Sequence, residues 1–380
     1  MKRFFALVAA AAVMLVMPGA QAGPSQGGIA SDNVEYVNFF PFEVGTATGA
    51  RVIGKYMYVT SWKSFSIYDV SDPITPVRMS TIPFGFRFEN EDVATNGKIM
   101  IFSQELPESS LHVYDVEDKS NPVALTPPRG LTGLGGHTQS CILKCKYLMG
   151  SNGKVLNMRN PADPKVVLAD WRKATGLQGS VHDVNEFRNG HVITSPISHP
   201  AQWLDVTNPV KPKVKALAVN PNPSAFLFHS SQWPRGGKDK FLLMQGEQNF
   251  QPQCGANNGP FMTFDASKAT KAKTFKHIDT FRVDNGTYSD GSPAVNGLGC
   301  SAHWFQEHET FNNGGLLAMG YYEHGTRFLH VNSKGKITER GFFLPHAGST
   351  SAAYWLTKDI VYGVDYTRGI DILRYKGKVK

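Results

Sequence analysis

The chain has 380 residues and a formal net charge of +8 at pH 7. Charged residues make up 18% of it, below the usual quarter, whereas Gly, Pro and aromatic residues are plentiful. Lys and Arg are scattered away from the termini and form no basic stripe interleaved with aromatic residues, so we do not expect nucleic-acid binding. No segment after the N-terminal one is apolar for long enough to span a bilayer.

The N-terminal segment has the pattern of an export signal. Two basic residues precede an apolar stretch from Phe4 to Met17, and Ala20-Gln21-Ala22 places small residues where a signal peptidase cleaves. We therefore expect residues 1–22 to be a signal peptide cut after Ala22, and residues 23–33 to be a flexible leader. The mature protein is expected to be secreted or periplasmic, without a transmembrane segment.

A short sequence motif recurs along the chain at intervals of roughly 45 residues. The copies are Ile67-Tyr68-Asp69-Val70 with Asp72-Pro73, Val113-Tyr114-Asp115-Val116 with Asn121-Pro122, Leu204-Asp205-Val206 with Asn208-Pro209, and the weaker Phe264-Asp265-Ala266-Ser267. This spacing is typical of four-stranded β-propeller blades. Because helical periodicity is absent, the sequence predicts an all-β fold.

The first repeat divides into four strands separated by tight turns. The predicted strands are Ala50–Ile53, Tyr56–Val59, Ser66–Val70 and Val77–Ile82. Asn96-Gly97 and Asn189-Gly190 mark hairpin turns in later repeats, because both central residues of such a turn take positive φ. The Asp-Pro and Asn-Pro pairs fix the next turn through side-chain capping and a locked φ. We expect the repeated Asp to serve this turn and not to act as an acid.

Seven such units are predicted within a single domain that spans residues 34–376. The units begin near residues 45, 88, 135, 180, 225, 300 and 347. The last unit ends after three strands, and Val34–Phe40 can supply the missing strand beside Asp371–Tyr375. Pairing of the first and last strands closes the ring and removes exposed sheet edges. The predicted fold is a seven-bladed β-propeller closed by the N-terminal strand in the C-terminal blade.

The repeats resemble the LVIVD-repeat family of exported β-propellers. The segments that carry the resemblance are Phe65–Val70 with Asp72-Pro73, Leu111–Val116, Gln202–Val206 with Asn208-Pro209, and Tyr366–Ile372. The third and sixth units, at Val155–Met158 and Phe328–Val331, depart from the pattern. The resemblance covers nearly the whole mature chain. It implies a propeller fold and names no activity.

The chain has four cysteines, an even number that favours disulfides in an exported protein. Cys141 and Cys145 can bridge locally across a hairpin turn. Cys254 and Cys300 can tie a long insertion to a later blade. No Cys/His zinc spacing is present, and free thiol chemistry is the less favoured alternative.

One histidine lies near the opening of several units. These residues are His137, His182, His229 and His303, and Glu89 takes the place of His182 in the second unit when the Asn-Gly turns are aligned. If the innermost strands begin at one face, the side chains converge on the channel mouth and can hold Cu, Fe or Zn, with Asp183 orienting a ring. In the alternative, these histidines only form hydrogen bonds with water and neighbouring backbone.

Loops between the second and third strands of the units are expected at the same face. They contribute Glu247, Glu323 and His324 as candidate ligand-binding residues, and Trp304 follows His303 closely enough to line the mouth. The alternative is that the loop residues are ordinary solvated side chains and that Trp304 packs between blades.

Two functions follow from these residues. The first is an exported propeller that binds a small-molecule ligand at the His-lined mouth, through a metal ion if one is present. Its enzymatic form is a metal-dependent oxidoreductase or lyase. The alternative is a non-catalytic interaction module for an envelope protein at the cell surface, with the insertion Phe250–Asn258 as its contact surface. A monomer is expected in both cases.

Overall fold

The computed structural model describes residues 27–41, 47–85, 91–106, 108–248, 254–283, 298–346 and 348–379. The predicted signal peptide, the first residues of the leader, Glu89, and the expected unit boundaries at 45, 88 and 347 lie outside these ranges. Residues 250–253 of the proposed contact surface Phe250–Asn258 also lie outside them. No helix in the described ranges is long and apolar enough to cross a membrane.

The described chain is nearly all β, as the sequence predicts. Its only helices in the described ranges are single turns at Trp171–Ala174, Pro234–Gly237 and Ala269–Ala272. The strands form six hydrogen-bonded sheets, which we number I to VI in chain order, leaving aside the two N-terminal strands that join the last two sheets.

The first three sheets are antiparallel and follow the chain order. Sheet I contains Ala47–Ile53, Tyr56–Ser61, Ser64–Asp69 and Val77–Pro83. Sheet II contains Ala94–Thr95, Ile99–Gln104, Ser110–Asp115, Val123–Ala124 and Leu131–Thr132. Sheet III contains Gln139–Ile142, Tyr147–Gly150, Val155–Asn157 and Lys165–Leu168. The strands predicted for the first repeat match those of sheet I.

Sheet IV has eight strands in two antiparallel halves. The first half contains Val181–Arg188, His191–Pro196, Ala201–Asp205 and Lys213–Ala218. The second half contains Leu227–Gln232, Phe241–Glu247, Phe261–Asp265 and Thr274–Phe281. The halves are hydrogen-bonded to each other only at their outer strands, through a short parallel pairing of Leu217 and Ala218 with Thr274 and Phe275.

The last two sheets each take one strand from the N-terminal part of the chain. Sheet V contains Phe305–Glu307, Gly315–Gly320, Thr326–Val331, Ile337–Pro345 and Gly28–Ala30. Sheet VI contains Thr350–Trp355, Ile360–Asp365, Gly369–Tyr375 and Val34–Pro41. Val34 pairs with Tyr375 and Pro41 with Gly369, so the predicted contact between the first and last strands is present.

The repeated aspartates terminate the third strands as predicted. In each case Oδ1 accepts a hydrogen bond from the backbone N–H two residues further on, which fixes the turn before the fourth strand. The pairs are Asp69 with Ser71, Asp115 with Glu117, Asp205 with Thr207, and Asp265 with Ser267. These carboxylates therefore serve the turns.

Apolar side chains fill the spaces between neighbouring sheets. Phe65 of sheet I shares a buried cluster with Phe102 of sheet II, and Met57 on sheet I shares another with Tyr362 of sheet VI. The remaining clusters include Ile101 with Leu148, Ile142 with Val192, Trp203 with Met244, Leu243 with Leu317, and Phe328 with Leu373. Since burial of each such side chain stabilises the fold by roughly 1.5–3 kcal/mol, these interfaces set how the sheets stack.

A glycine allows the first strand of sheet I to approach the segment before sheet II. A Cβ atom at Gly49 would clash with the carbonyl oxygen of Glu91. The close approach holds the backbone of Glu91 against a rigid strand. Glu91 is thereby placed beside the segments that open the neighbouring sheets.

Both predicted cysteine pairs lie at disulfide distance. Cys141 and Cys145 bridge the turn between the first two strands of sheet III, with their Cα atoms 4.4 Å apart. Cys254 and Cys300 connect the segment before Phe261–Asp265 to the segment before sheet V, with Cα atoms 5.1 Å apart.

Candidate metal centre

Four imidazole rings meet where the first strands of sheets III, IV and V begin. Nε2 of His137 lies 2.8 Å from Nε2 of His182. The ring centroid of His182 lies 3.8 Å from that of His229, which in turn lies 4.2 Å from that of His303. The predicted convergence of these four side chains is thus present. His137 forms the solvent side of the cluster, since its side chain is 29% exposed, and the other three rings are buried.

Glu91 provides the carboxylate around which these rings gather. Its Oε2 lies 3.4 Å from Nε2 of both His182 and His229, and 3.8 Å from Nε2 of His137. Its Oε1 lies 2.6 Å from Nε2 of His303. Glu91 is buried and belongs to the segment just before sheet II.

Glu247 supplies a second buried carboxylate from the end of strand Phe241–Glu247. Its Oε2 lies 3.9 Å from Nε2 of His229, and its Oε1 lies 3.7 Å from Nε2 of His303. The phenol hydroxyl of Tyr322 donates a short hydrogen bond to Oε1. Glu247, proposed from sequence as a loop residue near the mouth, is therefore part of the cluster.

Contacts on the outer side of two rings set the direction of their Nε2 atoms. Nδ1 of His303 lies 2.7 Å from the carbonyl oxygen of Ser351, to which it donates. Nδ1 of His137 lies 3.0 Å from Oε2 of Glu105. Because each Nδ1 is engaged outwards, each Nε2 carries the lone pair that faces the cluster when the ring is neutral.

Several ring nitrogens in the cluster have no hydrogen-bond partner among the described residues. They are Nδ1 of His182, both nitrogens of His229, and Nε2 of His303, whose short contact with Glu91 lacks hydrogen-bond geometry. Unpartnered buried polar atoms are costly and rare in folded proteins. Unpartnered imidazole nitrogens beside carboxylate oxygens match the donor set that Cu, Fe and Zn prefer.

The charges of the cluster also match a cation. In the described part of the chain, no Lys or Arg forms an ion pair with Glu91 or Glu247, so imidazoles are the only basic side chains that these two buried carboxylates contact there. Burial alone raises the pKa of Glu91, but the facing His303 and His229 outweigh burial and hold this pKa well below its usual range. Both carboxylates thus attract positive charge to one point.

The imidazoles differ in how readily they bind a proton. Burial, together with His229 and His137, holds the pKa of His182 well below its usual value, and burial also lowers the pKa of His229. Burial opposes protonation of His303 too, but Glu91 outweighs it and raises the pKa of His303. Two rings are therefore kept neutral, which is the form that ligates metals.

The spacing of the donor atoms allows several of them to bind the same ion. Bonds of about 2.0–2.2 Å place neighbouring ligand atoms of one metal roughly 3–3.5 Å apart. Oε2 of Glu91 has this spacing to His182 and His229. Three overlapping groups of residues each offer three ligand atoms that lie within 4.8 Å of one another. The groups are Glu91 with His137 and His182, Glu91 with His229 and His303, and Glu247 with His182 and His229.

Other predicted site residues lie beside or away from this cluster. The indole of Trp304 lies 5.1 Å from the ring of His229, next to the cluster. Glu323 and His324 do not join it. The carboxylate of Glu323 accepts a hydrogen bond from the backbone N–H of Leu298, and Nε2 of His324 lies 3.3 Å from Sγ of Cys254. Both side chains are buried and not solvated.

Asp183 does not orient a ring, contrary to expectation. Its Oδ1 accepts from the hydroxyl of Ser140 and its Oδ2 accepts from the amide of Asn185, while Nδ1 of His182 has no partner. Successive strand residues point to opposite faces, so the residue after His182 faces away from the cluster.

Sequence reasoning missed Glu91, Tyr322 and Tyr366. Alignment on the Asn-Gly turns pointed to Glu89, which lies outside the described residues. The first hairpin of sheet IV contains two register shifts, between Val181 and Asp183 and between Glu186 and Arg188. Counting the same number of residues back from the two Asn-Gly turns therefore does not reach equivalent positions. The shared Asp-Val that follows both Glu91 and His182 is the signal that could have identified Glu91.

Comparison with known families supports the fold and leaves the chemistry open. The LVIVD repeat matches residues 44–82, which confirms the resemblance for this stretch of the chain. The chain matches no curated protein. Since the matched stretch covers sheet I and contains none of the cluster residues, the metal centre has to be argued from its own geometry.

Proposed function

We propose that this LVIVD-repeat protein binds one divalent transition-metal ion and, beside it, a small-molecule ligand. The ligands of the ion come from His137, His182, His229, His303, Glu91 and Glu247. The observation that carries the proposal is Oε2 of Glu91, which faces the buried Nε2 atoms of His182 and His229 at 3.4 Å without any Lys or Arg ion pair in the described residues.

We infer that the architecture behind this site is a closed seven-bladed β-propeller spanning residues 34–376. Support comes from the two antiparallel halves of sheet IV, which with the other sheets give seven groups of four or five strands. Further support comes from the apolar clusters between neighbouring sheets, including the cluster that links sheet VI to sheet I. In such a ring the first strands surround the axis, where segments distant in sequence can share one ion.

The side of the cluster at His137 is the proposed entry for the ligand. The side chains of His137 and Glu105 are 29% and 44% exposed, whereas the opposite wall is formed by the buried Tyr322. When bound, the ion would polarise a coordinated ligand and, if it is Cu or Fe, supply one-electron redox chemistry. The enzymatic form of the proposal is therefore a metal-dependent oxidoreductase of an exported protein.

Within this site the chain itself has distinct tasks. His182 and His229 are kept neutral by burial and offer lone pairs. Glu91 raises the pKa of His303, so this ring binds a proton more readily than His182 and His229 and would release it to ligate an ion. The buried rings and Tyr322 exclude water from the inner side, which strengthens the attraction between the carboxylates and a cation.

Metal analysis of the mature protein, followed by titration of the metal-free protein with Zn²⁺, Cu²⁺ and Fe²⁺, tests the proposal. One equivalent is expected. We expect His182→Ala, His229→Ala and His303→Ala each to weaken binding by more than about 100-fold, because a direct ligand matters more than an outer partner worth 10- to 100-fold. His346→Ala, which alters an exposed histidine, is the matched control and should bind as the native chain does.

Two results would end the proposal. One is stoichiometric metal that survives replacement of all four cluster histidines. The other is a native protein that takes up none of the three ions, in which case an interaction surface becomes the better account of the chain.

A further inference from the structure

The residues His137, His182, His229, His303, Glu91 and Glu247 are called the His–Glu cluster below. A second group of metal-ligating atoms shares no residue with this cluster. Sγ of Cys254 pairs with Sγ of Cys300, and Nε2 of His324 lies 3.3 Å from the Cys254 sulfur. One ligand atom from each of these residues lies within 4.8 Å of the other two. His324 comes from the turn between Gly315–Gly320 and Thr326–Val331, so three separate segments meet here.

Contacts other than the sulfur–sulfur bond hold two of these residues in place. The backbone N–H of His324 donates to the carbonyl oxygen of Tyr321 at 2.8 Å, and its own carbonyl oxygen accepts from Nε of Arg327 at 2.8 Å. The carbonyl oxygen of Cys300 accepts from the side-chain amide of Asn258 at 2.6 Å. Because these hydrogen bonds do not involve sulfur, His324 and Cys300 keep their positions when the disulfide is opened.

Two of the three ligands are shielded from water. Cys300 is fully buried and His324 is 3% exposed, whereas Cys254 is partly buried. Thiolates and imidazole select soft cations, and three such donors close to one another suit Cu⁺ in particular. A closed disulfide removes both thiolates, so the same sulfur atoms can serve the bridge or the ion at one time, but not both.

We propose that Cys254, Cys300 and His324 form a soft-metal site for Cu⁺ when the disulfide is reduced. Reduction by a dithiol breaks the sulfur–sulfur bond, transfers two electrons and two protons to the cysteines, and leaves the dithiol as a disulfide. Cu⁺ then binds without change of oxidation state, and the two thiol protons leave to solvent. The site shares no residue with the His–Glu cluster.

The other cysteine pair provides an internal control. Cys141 and Cys145 are separated by four positions and bridge a tight turn. Among the groups of candidate metal ligands in the described residues, neither of these cysteines occurs. Reduction of this pair therefore supplies thiols without a neighbouring imidazole.

The experiment uses full-length mature protein, either oxidised or reduced with dithiothreitol and desalted under anaerobic conditions. Cu⁺ is titrated in competition with a chromophoric Cu⁺ chelator, and the copper–sulfur contacts are measured by X-ray absorption. We expect the reduced protein to bind one more equivalent of Cu⁺ than the oxidised protein, with sulfur ligands. The pair of substitutions Cys141→Ser and Cys145→Ser should retain this equivalent.

His324→Ala should weaken the additional site by at least about 10-fold, the lower range for loss of a group that tunes a metal site. This variant keeps the disulfide in the oxidised form, so its folding can be verified before reduction. The proposal is overturned if reduction adds no copper, if the added copper has no sulfur ligands, if His324→Ala binds as tightly as the native chain, or if replacement of Cys141 and Cys145 removes the equivalent. None of these results bears on Zn²⁺ binding by the His–Glu cluster.

Discussion

The phenol hydroxyl of Tyr366 donates a 3.0 Å hydrogen bond to Oε1 of Glu91. The same oxygen lies 2.6 Å from Nε2 of His303, so both close polar neighbours of this carboxylate gather at Oε1. Oε2 is then the atom that faces His182 and His229. Tyr322 holds Glu247 in the same way, through Oε1. Two tyrosines thus fix the orientation of the two carboxylates, each through a hydrogen bond to Oε1.

Tyr366→Phe should weaken metal binding while leaving the fold intact. Removal of the hydroxyl frees Glu91 to rotate, and loss of such an outer partner lowers metal affinity by about 10- to 100-fold. The lost hydrogen bond should lower the free energy of unfolding by only about 0.5–1.5 kcal/mol. Competition titration with Zn²⁺ measures the first effect and urea unfolding the second.

Tyr147→Phe is the matched control for this prediction. The hydroxyl of Tyr147 accepts a 2.7 Å hydrogen bond from Arg159 at an exposed position of sheet III. Its loss should leave the Zn²⁺ affinity unchanged. Equal losses of affinity in the two variants, or an unchanged affinity in Tyr366→Phe, would contradict a positioning role for Tyr366.

Glu91→Gln should reduce metal affinity more than any outer-partner substitution, by more than about 100-fold. Glu91 belongs to two of the three groups of ligand atoms, and the substitution removes its negative charge. The size of the side chain is nearly unchanged. Zn²⁺ should therefore raise the melting temperature of the native protein and not that of the variant, because a ligand stabilises only the state that binds it. Thermal melts with and without Zn²⁺ give the measurement.

Glu117→Gln makes the same chemical change on the surface. Glu117 pairs with Lys98 at 3.0 Å, and both side chains are largely exposed. The variant should show the full Zn²⁺-dependent rise of the melting temperature. If Glu91→Gln shows it as well, Glu91 is not a ligand.

The repeat pattern allowed much of the strand arrangement to be predicted. Alternating apolar residues and the Asp-based turns identified the strands of sheet I to within a few residues. The pairing of Val34–Pro41 with Gly369–Tyr375 could also be predicted, because the last unit lacked one strand and a segment of matching character began the mature chain. These features depend on local sequence and on counting, both of which are visible without coordinates.

The site was less predictable, because its donors depend on bulges and on side-chain direction. The four histidines were found from their place before each unit. Glu91 was missed because the shifts at Val181 and Glu186 change the count of residues from the turn. His324 is a metal-ligating residue type in the same kind of loop as Glu247, yet its imidazole points to Cys254 and not to the cluster. Which way such a loop residue points is decided by packing and not by spacing.

Glu307→Gln should make the free energy of unfolding less sensitive to a rise in pH above the usual carboxyl pKa. Burial raises the pKa of Glu307 above its usual value, although a hydrogen bond from Gln232 opposes the rise. A raised pKa means that the folded state retains the proton more readily than the unfolded state. The stability due to this group is therefore present below the usual carboxyl pKa and is lost as the pH rises through the raised value.

Urea unfolding of both proteins between pH 4 and 8 measures this effect. The free energy of unfolding of Glu307→Gln should increase relative to the native value as the pH rises, because the amide cannot ionise. Glu309→Gln, at an exposed position two residues away, is the matched control. A constant difference for Glu307→Gln would mean that its carboxyl ionises equally well in both states.

The two disulfides should stabilise the fold to different extents. Cys141 and Cys145 are 4 positions apart, whereas Cys254 and Cys300 are 46 apart. Loop-closure entropy predicts that loss of the shorter bridge lowers the free energy of unfolding by about 2 kcal/mol and loss of the longer by about 4 kcal/mol. Urea unfolding of the paired Cys→Ser variants under oxidising conditions gives both values. The tight turn closed by the short bridge has positive φ at Leu143, Lys144 and Cys145, which is unfavourable for these residue types. A larger loss for the short bridge would show that backbone strain in this turn, or residual structure in the unfolded chain, outweighs loop length.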